Sequence, residues 1–423
     1  MKNKTYDMNG YTLHTTETDR FKTIGLKVCI RTDNKKEDDK YLPMLWRILV
    51  STSSKYKTLK EINEACTEIY DPYYSIRTIE SGKENIFGLS ATFTNEKYTE
   101  KGMNEKNIEF VTDFIFKPKI KNDKFDEKIF ETKKTKLIEY YSSIKDYPRD
   151  YASGRLEEEM ISLDYKNYSL DEIIEITKSL TNEELYKYYK KIIEKGKLDI
   201  FVCGNFSSKE IKEIIKKHIK FKEKNSQTPN HVFNQKNYNK KPNIVIEKSS
   251  NVQSNLLIGC KVLNMTNHER QYAFTVYSWI LGGGMNSLLN RTVREENSLC
   301  YYIYATRKSL MGIMKISAGI DGENFEKTYK LIKKEMKNIE KGNFDDELLE
   351  GVKKIYYNSL KSTLDYQDDM MTSHISEVFL NYDNIDKRKK EMEKITKEDI
   401  MNFAKKVHID TVYLLKGETK WKK

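Results

Sequence analysis

Leu42, Leu45, Trp46, Leu49 and Val50 fall at i, i+3, i+4, i+7 and i+8, the spacing that lines one face of a helix. Ala273, Val276, Tyr277, Ile280 and Leu281 repeat this stripe about 231 positions later, and each stripe follows a predicted strand with a cysteine, Cys29 or Cys260. Each helix is therefore expected to pack on a sheet. The offset shortens to about 219 where Lys124-Phe125-Asp126-Glu127 parallels Asn343-Phe344-Asp345-Asp346 and Asp146-Tyr147 parallels Asp365-Tyr366. It shortens again to about 215 where Leu180-Thr181-Asn182-Glu183-Glu184 matches Ile395-Thr396-Lys397-Glu398-Asp399. In both places a Thr before acidic residues predicts an N-cap, and the helix leads to a strand, Ile200-Phe201-Val202-Cys203-Gly204 or Val412-Tyr413-Leu414-Leu415-Lys416-Gly417.

Two copies, each long enough to enclose a core, mean two domains of one fold and not a solenoid. Each half reads as strands, a helix, more strands and a run of helices, which is the α+β class. The polar stretches Asn225-Ser226-Gln227-Thr228-Pro229-Asn230 and Asn237-Tyr238-Asn239-Lys240-Lys241-Pro242 predict a linker over 223–243, between domains at 1–222 and 244–423.

Composition narrows the class. With 423 residues, 38% apolar and 33% charged, the chain can bury cores under a heavily charged surface. The net charge of +11 is dispersed, and runs such as Lys387-Arg388-Lys389-Lys390 sit in helical patterns, which argues for solvated faces and against nucleic acid. Cys29, Cys66, Cys203, Cys260 and Cys300 are odd in number and show no CxxC, so neither a disulfide framework nor a zinc knuckle is expected. No apolar h-region follows Met1, and no run approaches the roughly 18 apolar residues of a membrane span. A cytoplasmic protein with no membrane partner is expected.

The segment from Leu281-Gly282-Gly283-Gly284 through Arg294 to Tyr301 carries the most specific signal. A phosphate loop is excluded, because the glycines end a helix and no Gly-Lys-Ser/Thr follows. With its Arg and Tyr seven positions apart, the segment resembles the second-domain signature of the insulinase-type (M16) zinc peptidases. The resemblance implies two homologous LuxS/metallohydrolase-like domains, each a mainly antiparallel sheet covered by helices. It also implies two chains closing like a clam shell around a peptide. Bacterial M16-like proteins of this appearance include some associated with 5-aminopentanol modification of elongation factor P, a context the resemblance brings with it.

The family's HxxEH zinc motif is missing. Alignment on Ile48-Leu49-Val50 places Pro43, Trp46 and Arg47 where its His, Glu and His would stand. Pro and Trp offer no donor atom, and a guanidinium repels a cation, so no catalytic zinc is expected on this chain. A further family carboxylate would come from around Glu131 to Glu139, without a choice between them. Of the six histidines only His374, in His374-Ile375-Ser376-Glu377, has even partial ligand spacing.

By resemblance, Tyr301 would donate to the developing oxyanion and Arg294 would hold a substrate carbonyl or carboxylate, both acting in trans. The zinc would then belong to an HxxEH-bearing homologue that forms a heterodimer with this chain. The other reading has Arg294 in a helix salt bridge and Tyr301 or Tyr302 packed in a strand. In the first domain, Tyr74-Ser75-Ile76-Arg77-Thr78-Ile79 reads as one of two paired strands. By resemblance, a peptide adds to that edge at Ser75, Ile76, Arg77 and Thr78, unless the partner caps it. The expected function is a catalytically incomplete subunit of a peptide-processing pair, with a non-proteolytic scaffold or peptide-binding pseudo-peptidase as the alternative.

Overall fold

The computed structural model describes residues 2–160, 168–221 and 232–418. They form two compact units, each of the α+β kind that the repeat predicts. The first gathers Met1–Tyr141, Asp171–His231 and Ser362–Asn381; the second gathers Ser142–Leu170, Val232–Lys361 and Tyr382–Lys423. The units therefore differ from the continuous stretches 1–222 and 244–423, because each takes a helical segment from the other repeat. The physical reason lies in the sheets, whose strands carry apolar residues on both faces and so need cover on both.

In the first unit six strands lie in the order Lys2–Asp7, Thr12–Glu17, Lys197–Gly204, Thr23–Asp33, Glu84–Thr94 and Tyr73–Ser81. Every pairing is antiparallel except that of Thr12–Glu17 with Lys197–Gly204. Ile24, Leu26, Val28 and Ile30 alternate onto the main core, which also takes Leu42, Leu45 and Leu49 from the helix Asp38–Leu49. Cys29, Phe201 and Cys203 face the other way and meet Met370, Met371 and Phe379 of the helix Gln367–Leu380. Gln367 anchors that helix by donating to the carbonyls of Thr23 (3.0 Å) and Cys203 (2.9 Å).

In the second unit five strands run Cys300–Lys308, Ile313–Ile320, Ser254–Val262, Val407–Gly417 and Asn243–Ser249, with only the last pair parallel. The helix Ala273–Gly282 is buried on one face of this sheet. On the other face Ala152, Leu156 and Met160, from Pro148–Glu159 and its C-cap, pack on Leu257, Tyr413 and Leu415. A side chain at Gly259 would collide with the Met160 thioether, so this close cover requires glycine.

Thr181 and Thr396 both form the capping boxes that the sequence predicts, with Glu184 and Asp399. Of the expected linker, 223–231 lies outside the described residues. The remainder, from Val232 on, packs into the second unit: Phe233 and Gln235 are buried, Tyr238 stacks on His408, and the Asn239 amide donates to Asp410 at 2.9 Å. All five cysteines are free thiols. Among the described residues no helix is long and apolar enough to cross a membrane.

Candidate functional site

The glycine run closes the helix Ala273–Gly282 against the edge strand Cys300–Lys308. A Cβ on Gly282 would stand 2.8 Å from the Ala305 amide nitrogen, and one on Gly283 would stand 2.5 Å from Trp279 Cα. Close backbone approach, more than flexibility, explains these two positions. The chain then enters a π-helical turn, Asn290–Glu296, a geometry that recurs at functional sites. Thr292 ties this turn down by bonding Glu335 at 3.2 Å, and the Leu299 amide donates back to the Val293 carbonyl at 3.0 Å. Ser298 takes a left-handed conformation, φ 52°, to make that return.

This arrangement leaves Arg294 exposed, with no side-chain hydrogen bond or ion pair to any described residue. Tyr301 is equally free. Cys300 pairs with Ile320 and Tyr302 with Gly319, so Tyr301 is the extra residue of a bulge, and it is 67% exposed. The neighbouring tyrosine has the packing role: Tyr302 donates to Asn255 Oδ1 at 2.8 Å, and the Arg149 guanidinium lies 4.1 Å from its ring centre. Of the other reading, the packed strand tyrosine is present as Tyr302, while Arg294 makes no salt bridge with any described residue. Burial pushes the Cys300 thiol up to about 11, against the opposing charge of Arg294.

On the helix Asp38–Leu49 the three residues that the resemblance sets against HxxEH, Pro43, Trp46 and Arg47, lie in contact. Arg47 Nη1 donates to the Pro43 carbonyl at 2.6 Å, and the guanidinium lies 4.1 Å from the Trp46 ring and 5.7 Å from that of Tyr140. Tyr140 belongs to the helix Glu127–Ser143, on which Glu131 and Glu139 are both exposed. This donor set does not fit zinc, since it offers a proline, an indole and a permanently charged guanidinium in place of imidazoles and a carboxylate. Among the described residues no group of three or more His, Cys, Asp or Glu is placed to hold a metal ion. Burial lowers the pKa of Arg47 and pushes the Tyr141 hydroxyl up to about 12. One turn before Pro43, burial together with Glu80 and Asp38 raises Asp39 to about 7, a group no sequence motif marks.

Among the described residues the strand Tyr73–Ser81 is a sheet edge, pairing only with Glu84–Thr94. Ser75 and Arg77 share a face with Ile79 and line an apolar groove of about 250 Å³ with Cys29, Thr372 and Phe379. Ile76 is core, 1% exposed, and Thr78 turns the same way, its hydroxyl buried without a partner. Of the four residues expected at the edge, two therefore face the groove and two face the core. His374 bonds Thr16 Oγ1 at 3.2 Å and packs edge-on against His14 and Phe201.

Two like α+β units, and a glycine run leading to an Arg and a Tyr with no partner among the described residues, resemble a peptidase-like protein of the M16 kind. Residues 179–356 match the family described as "Peptidase M16 inactive domain". It is similar to a Bacillus subtilis (strain 168) protein described as "Probable inactive metalloprotease YmfF", with 25% identity over 96% of each chain. Its fold is similar to that of a conserved protein from Enterococcus faecalis V583 (TM-score 0.91, 23% identity, 99% of this chain and 100% of that one). It is also similar to that of a peptidase M16 inactive domain from Pseudomonas fluorescens (TM-score 0.81, 15% identity, 100% of each).

Proposed function

We propose that this chain is the catalytically incomplete subunit of a peptide-processing pair, whose partner is an HxxEH-bearing M16 homologue that holds the zinc. The observation that carries this reading is the state of Arg294 and Tyr301, two polar side chains set out on a π-helical turn and a β-bulge with no partner among the described residues. A buried or packing role would give them contacts. A substrate role in trans leaves their donors open for a peptide carbonyl and the oxyanion that forms from it. The edge strand Tyr73–Ser81 supports the same reading, because its free backbone groups suit an added peptide strand and its alternate residues Ser75 and Arg77 face a groove. The heterodimer is placed in the cytoplasm, in keeping with the five free cysteines.

The test is hydrolysis of a peptide library by this protein, by the HxxEH homologue, and by the two mixed, with zinc and with chelator. Chelator-sensitive turnover that appears only in the mixture, and falls about a hundredfold or more with Arg294→Met plus Tyr301→Phe while association persists, is the expected result. Association with no gain in turnover would assign the chain to the scaffold or peptide-binding class instead.

A further inference from the structure

In the resembled family the helix carrying Pro43, Trp46 and Arg47 presents zinc ligands to a carboxylate-bearing helix. Here the same place has collected positive charge. Arg47 is half-buried between two rings, and of the five N–H groups of its guanidinium one is used, on the Pro43 carbonyl. On Glu127–Ser143 the residues Lys133, Lys136 and Tyr140 fall at i, i+3 and i+7, so the face that meets Arg47 through Tyr140 also carries both lysines.

None of the three cations has an ion pair among the described residues. Burial and the charges of Lys136 and Arg47 all disfavour the charged form of Lys133. Arg47 and Lys133 are part-buried and Lys136 is exposed beside them, and part-buried like charges are costly unless an anion completes the group. A planar guanidinium held by Trp46 and Tyr140 presents its remaining donors as a fork, the geometry that takes a carboxylate in two parallel hydrogen bonds.

We propose that the guanidinium stacked on Trp46 and Tyr140 is the centre of a carboxylate-binding site, in which Arg47 holds the anion and Lys133 and Lys136 add charge. This rests on the peptide-binding reading above, and the carboxylate has two sources, a peptide C-terminus or an Asp or Glu side chain.

Tryptophan emission of the full-length protein, with Trp46→Phe as the blank, reports the site directly, because Arg47 lies on the Trp46 ring. N-acetylglycine should give a saturable change and its neutral twin N-acetylglycinamide none. Arg47→Met should weaken the N-acetylglycine response roughly ten- to a hundredfold, and Arg47→Lys less. Should Arg47→Met fail to fold, Lys133→Gln on the helix surface carries the same test, with a smaller loss. An equal response to acid and amide, or inorganic phosphate binding tenfold more tightly than N-acetylglycine, would overturn the assignment.

Fluorescence anisotropy then compares one extended peptide as free acid, as amide, and as amide with an internal Glu. Tighter binding of the free acid alone identifies the C-terminus, and tighter binding of the Glu peptide identifies the side chain. Equal binding of all three would end the carboxylate proposal and leave peptide binding standing. An Arg47-dependent response to N-acetylglycine with no peptide bound would do the reverse.

Discussion

Arg31 grips Asp199 with two guanidinium nitrogens, Nη2 at 2.9 Å and Nε at 3.2 Å, where both side chains are 3% exposed. Glu84 Oε1 stands 3.7 Å from the same guanidinium, His14 bonds Asp199 at 3.2 Å, and the Phe379 ring closes over Arg31 at 3.9 Å. The helix Gln367–Leu380 thus covers ions as well as the apolar Cys29, Phe201 and Cys203.

Two buried carboxylates share this one guanidinium, so removing it should cost more than an ordinary surface charge. Arg31→Met is expected to lower unfolding stability by about 3–5 kcal/mol, read as a shift in the denaturant midpoint of the first unit. Replacing Arg31, Asp199 and Glu84 together by Met, Leu and Leu should recover much of the loss. A single-variant loss below about 1 kcal/mol would mean that the cluster is not held as tightly as its geometry says.

His374 lies on the same helix, and burial, with His14 as a lesser cause, depresses it to about 4. The unfolded chain then takes up a proton near pH 6.5 that the folded one refuses until about pH 4. The His374 contribution to stability is therefore complete above pH 6.5 and is lost as pH falls from there toward 4, by up to about 3 kcal/mol. His374→Gln should flatten that part of the stability curve. An unchanged slope between pH 6.5 and 4 would remove His374 as its cause.

The adjacent tyrosines of the second unit should separate stability from function. Tyr302→Phe deletes the bond to Asn255 and should cost about 1 kcal/mol, whereas Tyr301→Phe and Arg294→Met should leave stability within about 0.5 kcal/mol. Thermal melts of the three variants decide this. A strongly destabilised Tyr301→Phe would show that the exposed tyrosine carries structure after all.

What could be read in advance follows from what repeats. Thr181 and Thr396 announce their capping boxes because a cap is a local bond within four residues, and the stripes of Leu42 and Ala273 announce buried faces because a helix has a fixed period. The Arg294 and Tyr301 positions were legible as a motif. Their exposure was not, because it depends on a π-turn and a bulge that add single residues to regular elements. The traded helices escaped notice for a related reason: Met370 and Met371 look like any apolar helix face, and periodicity does not say which sheet that face will meet. The stack of Arg47 on Trp46 and Tyr140 joins distant segments, and Asp39 owes its shift to burial, so neither leaves a spacing to find.

The segment Ser362–Asn381 also sets a timetable for synthesis. When Gly204 has left the ribosome every strand of the first sheet exists, yet Cys29, Phe201 and Cys203 have nothing to lie against until Phe379 follows. At roughly 5–20 residues per second this interval is on the order of ten seconds or more, ample for an uncovered apolar surface to find a wrong neighbour. A nascent chain stalled anywhere between the two repeats would expose that face to chaperones.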